Sequence, residues 1–287
     1  MSPTNRAAAI DTIAILGAGT MGSGLAQIAL EAGFEVHLAD ARPEALQKAR
    51  DRIAHRLRRS GTTPAAELTT GDVAEASIGA GMVIEAVFED MGVKSAVLSA
   101  AERAVGPGTV LATNTSGLPV SALAGALADP TRFVGMHFFN PVHRMALCEL
   151  IPGEATSGDT VAIAREVAER LGKTPVIVAD SPGFVASRLN CALGNEALVM
   201  LEAGVADAAA IDTAARLGLN HPMGPLELLD LVGLDVRLAA LRTLERAYGE
   251  RFRPTRLHEK LVAQGRLGVK TRAGIYSYDE SGARLSG

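Results

Sequence analysis

Residues 12–40 constrain this chain more than any other stretch. Thr12-Ile13-Ala14-Ile15-Leu16 reads as a buried strand, and Gly17-Ala18-Gly19-Thr20-Met21-Gly22 follows it directly. A helical pattern over Thr20–Ala32 comes next, then a second strand over Glu35–Ala39 that ends at Asp40. A Gly-x-Gly-x-x-Gly run is a weak signal alone, but between a strand and a helix it reads as a dinucleotide site. The first glycine allows the tight turn, the second lets backbone approach a pyrophosphate, and the third allows helix and strand to pack closely. The helix start offers N–H groups and a positive dipole end to the phosphates. Asp40, eighteen residues after Gly22, suits the adenine ribose hydroxyls and repels a 2′-phosphate, which favours NAD over NADP. Arg42 complicates that preference, because an arginine there can accept the phosphate. Candidate cofactor contacts are therefore Gly17, Gly19, Thr20, Met21, Gly22 and Asp40. The uncharged run Thr12–Leu30 has the length of a membrane span. Four of its residues are glycine, however, and Asp11 and Glu31 bracket it, so strand, turn and helix explain it better.

The following segments repeat the alternation. Pro43–Arg59 reads as a helix, Gly81–Val87 as a strand, Val93–Val105 as a helix and Thr109–Thr113 as a strand. A short helix near Val120–Leu127 precedes a strand ending at His137. A helix from Gly158 to Leu171 and a strand over Thr174–Ala179 complete this half. Strands alternating with helices predict a mainly parallel sheet of Rossmann-like, α/β type. After Ser181-Pro182-Gly183 the strand signal stops. Helices are expected over Phe184–Glu202, Asp207–Leu217, Leu226–Leu231, Asp235–Tyr248 and Pro254–Gln264. The expected plan is a nucleotide-binding domain over 1–182 and an all-helical domain over 183–287, with the reaction in a cleft between them. The apolar helices across Leu226–Leu244 suggest a two-fold homodimer interface.

The chemistry is expected at His137-Phe138-Phe139-Asn140-Pro141-Val142, with Glu149 twelve residues after the histidine. A histidine at the carboxyl end of a strand sits where open α/β sheets place reacting groups. A carboxylate folded back onto it fixes its tautomer and stabilises the imidazolium. The pair reads as a general base that takes a proton from an alcohol. Asn140, in the turn after it, is a candidate substrate contact.

Composition sets outer limits. The net charge of −4 argues against general nucleic-acid binding. Cys148 and Cys191 are too few for a disulfide framework, so a reducing, cytoplasmic setting is expected. The residues before Asp11 lack the basic-then-apolar order of a secretory signal and read as a frayed tail. Neither a metal site nor a membrane partner is expected.

With the glycine turn and the His–Glu pair in view, the sequence resembles the 3-hydroxyacyl-CoA dehydrogenase family over nearly its whole length. The motifs are Gly17–Gln27, Ile84-Glu85-Ala86-Val87-Phe88-Glu89-Asp90, Asn114-Thr115-Ser116 and His137–Ile151. They continue through Ser181-Pro182-Gly183-Phe184, Asn220-His221-Pro222-Met223-Gly224-Pro225 and Gly265–Thr271. The resemblance implies NAD-dependent oxidation of an (S)-3-hydroxyacyl-CoA thioester, with short chains such as 3-hydroxybutyryl-CoA expected and a place in fatty-acid β-oxidation. It makes His137 the base and Glu149 its support. It sets Ser116 on the substrate oxygen, Asn114 near the nicotinamide ribose, and Glu89 and Lys94 on the cofactor side. Ser116 could instead cap the short helix that follows it. The Asn220–Pro225 run reads as a structural turn before a helix.

Two places depart from the family pattern. An asparagine is usual three residues after Phe184, where this chain has Ser187; Asn190, one turn later, could substitute. Arg52–Gly71 looks like a shortened version of a helical hairpin that helps hold coenzyme A. Arg42, Lys48, Arg50, Arg52, Arg56, Arg58 and Arg59 nevertheless crowd into 18 positions. They suggest a phosphate-bearing ligand contacted by Arg52, Arg56 and Arg59, or else a solvated basic helix face. Two rival readings stay open: a dehydrogenase of a free hydroxy or sugar acid, as the gulonate dehydrogenases are, and a non-catalytic NAD-binding protein.

Overall fold

The computed structural model describes residues 9–61 and 68–285. Residues 1–8, residues 62–67 at the centre of the Arg52–Gly71 segment, and residues 286–287 lie outside the described residues. The chain divides into two compact units, one ending at Ser181 and one beginning at Pro182.

In the first unit, β1 (Thr12–Leu16), β2 (Glu35–Ala39), β3 (Leu68–Gly71), β4 (Met82–Glu85), β5 (Val110–Thr113), β6 (Phe133–Phe138), β7 (Leu147–Pro152) and β8 (Thr174–Ile177) form one sheet. Its order is β3-β2-β1-β4-β5-β6-β7-β8. Every neighbouring pair is parallel except β6 with β7. The connecting helices are α1 (Thr20–Glu31), α2 (Pro43–Ser60), α3 (Val73–Ser77), α4 (Met91–Ala104), α5 (Val120–Ala124) and α6 (Gly158–Arg170). Central strands buried on both faces read as unbroken apolar runs, and β4 and β5 are buried at every position. Ile10, expected in the tail, is also buried. It packs against Gly81, and its carbonyl accepts from Arg170 Nη1 at 2.8 Å.

Three elements were not expected. β7 has Glu149 inside its apolar run, which broke the strand pattern in Leu147-Cys148-Glu149-Leu150-Ile151-Pro152. β3 is a short edge strand of Leu-Thr-Thr-Gly without apolar alternation. α3 is only five residues long, although its capping box is written in Asp72 and Glu75.

The second unit holds five helices among the described residues: α7 (Ala186–Glu202), α8 (Ala208–Gly218), α9 (Pro225–Val232), α10 (Leu234–Tyr248) and α11 (Arg256–Ala263). The leucines expected at a dimer interface mostly serve this unit's own core: Leu226, Leu229, Leu234, Leu238, Leu241 and Leu244 are buried. Leu231, Val232 and Val236 remain on the surface, a narrower apolar face than the sequence suggests. The Asn220–Pro225 turn leads into α9, with Asn220 in the left-handed region and Pro225 at the first helical position. Among the described residues no helix is long and apolar enough to cross a membrane.

Candidate active site

The parallel strands of the first unit deliver their carboxyl ends to one edge of the sheet, and the site is built there. At the end of β1 the chain turns sharply, with Gly17 at φ 110° and its N–H donating to Ala39 O at 2.7 Å. A methyl group at Gly22 would stand 1.7 Å from the Gly17 carbonyl oxygen, so only glycine lets α1 begin so close to the turn. No side chain caps α1 at Gly19. A helix start of this kind fits a pyrophosphate, and Thr20 and Met21 lie in its first turn. Asp40 follows β2: its Oδ2 accepts the Ala18 N–H at 2.9 Å, and its Oδ1 accepts the Arg42 N–H at 3.0 Å. The carboxylate thus stands against the glycine turn, where a ribose hydroxyl is expected. Arg42 Nε lies 3.5 Å from the same carboxylate.

β4 ends in a wholly buried carboxylate, Glu85, whose two oxygens each lie 2.9 Å from Lys94 Nζ. Thr113 Oγ1 and the Val87 N–H also donate to it. Burial raises the Glu85 pKa, against the opposing pull of Lys94 and its hydrogen bonds. Lys94, expected to line the cofactor side, is itself wholly buried, and its Nζ lies 3.3 Å from the part-exposed Glu89. Glu89 in turn accepts from Thr115 Oγ1 at 2.6 Å, Ser116 N at 2.8 Å and Ser116 Oγ at 3.1 Å. Burial alone would raise the Glu89 pKa, but the Thr115 bond, Lys94 and the Ser116 N–H together hold it below the usual value.

Ser116 is exposed and does not cap α5. Thr115 Oγ1 accepts the N–H groups of Gly117 and Leu118, and Asp180 accepts those of Val120 and Ser121. Asn114, just past β5, is held from both sides. Its N–H donates to Glu85 O, and its Oδ1 accepts the Phe138 N–H at 2.9 Å, which leaves Nδ2 as the donor it can offer a ligand.

His137 and Glu149 are direct partners across the antiparallel β6–β7 pair. His137 Nδ1 lies 2.8 Å from Glu149 Oε2, with both side chains buried. With Glu149 ionised, the carboxylate can only accept, so Nδ1 is the donor and the lone pair lies on Nε2. The Phe139 ring packs 4.3 Å from the imidazole. The chain then turns through a cis Asn140–Pro141 peptide, with Asn140 exposed.

The basic helix α2 divides in two. Arg42, Lys48, Arg50, Arg58 and Arg59 are exposed, while Arg52 and Arg56 are half-buried. Arg52 Nη1 donates to Ser23 Oγ at 2.9 Å, tying α2 to α1. Partial burial, then the charges of Arg56 and Arg144, lower the His143 pKa, so Arg56 belongs to a cationic cluster beside the 140–146 turn. Ser187 and Asn190 belong to the second unit, half-buried on the first two turns of α7. The sequence reading missed Glu85, Thr113 and Thr115. A charged residue closing an apolar strand was the available signal, since a buried charge needs a partner.

Comparison with known proteins gives the family and the fold. Residues 12–181 match the family model for the 3-hydroxyacyl-CoA dehydrogenase NAD binding domain, and residues 183–278 match that for the C-terminal domain. A probable 3-hydroxybutyryl-CoA dehydrogenase of Bacillus subtilis is 41% identical, over 94% of this chain and 98% of its own. The crystal structure of (S)-3-hydroxybutyryl-CoA dehydrogenase PaaH1 from Ralstonia eutropha superposes with a TM-score of 0.90 at 38% identity, covering 95% of this chain and all of that one. The crystal structure of 5-formyl-3-hydroxy-2-methylpyridine 4-carboxylic acid 5-dehydrogenase, an NAD+-dependent dismutase, is 33% identical with a TM-score of 0.79, covering 95% of this chain and 92% of that one.

Proposed function

The chain belongs to the 3-hydroxyacyl-CoA dehydrogenase family and is an NAD-dependent oxidoreductase, and from that premise we propose that it oxidises short-chain (S)-3-hydroxyacyl-CoA thioesters, 3-hydroxybutyryl-CoA foremost, with His137 as general base. The observation that carries this reading is the 2.8 Å contact between His137 and Glu149. NAD+, when bound, supplies the hydride acceptor. His137 Nε2 takes the 3-hydroxyl proton, and Glu149 holds the Nδ1 proton and stabilises the imidazolium that forms. Ser116 Oγ hydrogen-bonds the substrate oxygen, with Asn140 beside the acyl group. Gly17, Gly19, Thr20, Met21 and Gly22 hold the pyrophosphate, and Asp40 holds the adenine ribose. Asn114 Nδ2 serves the nicotinamide side. Arg52, Arg56 and Arg59 take the coenzyme A phosphates. Ser187 is assigned the hydrogen bond to the substrate thioester that the family's usual asparagine would make.

Two free, buried cysteines support a reducing, cytoplasmic setting, and thioester oxidation of this kind suits fatty-acid β-oxidation. A second copy meeting the surface of Leu231, Val232 and Val236 completes a homodimer, and a monomeric mass in solution would exclude it. The free-acid reading keeps its place because the pyridine carboxylate dehydrogenase shares the fold at 33% identity. The deciding experiment is NADH oxidation with acetoacetyl-CoA beside free acetoacetate, with His137→Gln as control. Fast turnover of the thioester, abolished by the substitution, is expected. Turnover of the free acid alone would replace the coenzyme A reading with the second one.

A further inference from the structure

The charged groups behind the glycine turn form a row that leads outward from the core. Glu85 lies at the end of β4 with no exposure, Lys94 binds both its oxygens, Glu89 lies 3.3 Å from Lys94, and Glu89 ends on exposed Ser116. One lysine stands between two carboxylates, so the row carries an excess negative charge at its outer end. That end meets the serine twice, since a single Glu89 oxygen accepts both the Ser116 N–H and its hydroxyl. The same oxygen takes the Thr115 hydroxyl, whose own oxygen receives two further N–H groups of the turn. The Asn114–Leu118 turn is thereby tied to one carboxylate oxygen.

We propose that Glu89 is the residue that positions Ser116 for the reaction, with Lys94 and Glu85 as its brace. This rests on the reading of Ser116 as the substrate-oxygen contact. It differs from a cofactor role for Glu89, because Glu89 then acts through the serine and not through NAD. An exposed serine has three staggered side-chain positions of similar energy. The double contact to Oε1 selects one of them, and the buried ammonium, which lies against the other oxygen, Oε2, keeps the carboxylate charged and in place. Displacing a reacting contact by about 1 Å costs on the order of 100-fold in rate, which bounds what releasing the serine can do.

The test is a double-mutant cycle of Glu89→Ala, Ser116→Ala and both together, reading kcat with acetoacetyl-CoA and the NADH dissociation constant by fluorescence. Glu89→Ala leaves Lys94 paired with Glu85, so the fold is retained. The expected result is a fall in kcat of about 10- to 100-fold for Glu89→Ala, with NADH affinity within about two-fold. The double variant should then be no slower than Ser116→Ala, because the carboxylate has lost what it acts on. Glu89→Gln, whose amide oxygen still accepts from the serine, should recover part of the rate. Losses that multiply in the double variant, or an NADH affinity that falls in step with kcat, would overturn the positioning role. An unchanged kcat in Ser116→Ala would instead remove the reading of Ser116 on which it rests.

Discussion

Under the proposed function Glu149 acts on His137 through the Nδ1–Oε2 hydrogen bond, and its contribution can be tested apart from folding. Glu149→Gln keeps the length of the side chain and its place on β7. Its amide can offer an N–H to Nδ1, which drives the imidazole into the wrong tautomer and removes the charge that stabilises the imidazolium. Turnover should fall by about 10²- to 10⁴-fold, with NADH affinity unchanged in a fluorescence titration. Retained turnover would reduce Glu149 to a packing residue. A second residue-scale effect lies far from the chemistry. Arg272 has φ 58° and gains little from its exposed pair with Glu280. A left-handed backbone costs a non-glycine residue about 1–2 kcal/mol, partly offset in a glycine variant by the entropy of its unfolded chain. Arg272→Gly should therefore stabilise the second unit by about 0.5–1 kcal/mol. Urea denaturation would read this as a higher midpoint with an unchanged slope, and a lower midpoint would contradict it.

At the scale of elements, the contact between α1 and the turn after β6 matters most. A methyl group at Gly24 would stand 2.8 Å from Val142 Cγ2, so the second half of the glycine-rich stretch lets buried Val142 settle onto the helix. Val142 follows His137 by five residues, so α1 packs against the chain just past that histidine as well as following the glycine turn. Gly24→Ala should destabilise the protein by about 1–3 kcal/mol through overpacking. Val142→Ala in the same chain should restore most of that loss, and a double variant no more stable than Gly24→Ala would refute the contact as the cause. Such contacts explain which parts of the site were legible in the sequence. The glycine turn, Asp40 and His137 stand at element ends, where local patterns suffice. Glu149 was legible as a partner, but its strand was not, because a carboxylate inside β7 breaks the pattern that marks a strand. Glu85, Thr113 and Lys94 meet only when three elements are assembled, and Gly24 needs Val142, 118 positions away, before its small size has a reason.

At the scale of the whole molecule, the two units hold their charges differently. The first buries an ion pair, Glu85 with Lys94, at the end of β4, while the second uses buried polar groups to tie down its own end. Asp212 accepts the N–H groups of Leu226 and Glu227 at the start of α9, and the Tyr276 hydroxyl. Asp230 accepts the N–H groups of Ile275 and Tyr276, and the Tyr278 hydroxyl. His258 is wholly buried on α11, with Nε2 2.8 Å from Leu234 O at the start of α10. Burial lowers its pKa below the ordinary 6.5, outweighing the Leu234 carbonyl and Glu259, which favour the charged form; Arg242 adds to the lowering. The unfolded chain therefore binds a proton at His258 at a higher pH than the folded chain does. Stability from this residue is complete above about pH 6.5 and is lost as pH falls from there toward the lower folded value. The slope from one such group cannot exceed about 1.4 kcal/mol per pH unit. His258→Gln keeps a nitrogen donor for Leu234 O and cannot titrate. Urea midpoints measured between pH 7.5 and 5 should therefore fall more steeply for the wild-type chain than for the variant, with the two curves separating below pH 6.5. Parallel curves would mean that His258 is protonated as readily in the folded unit as outside it, and that acid sensitivity of the second unit arises elsewhere.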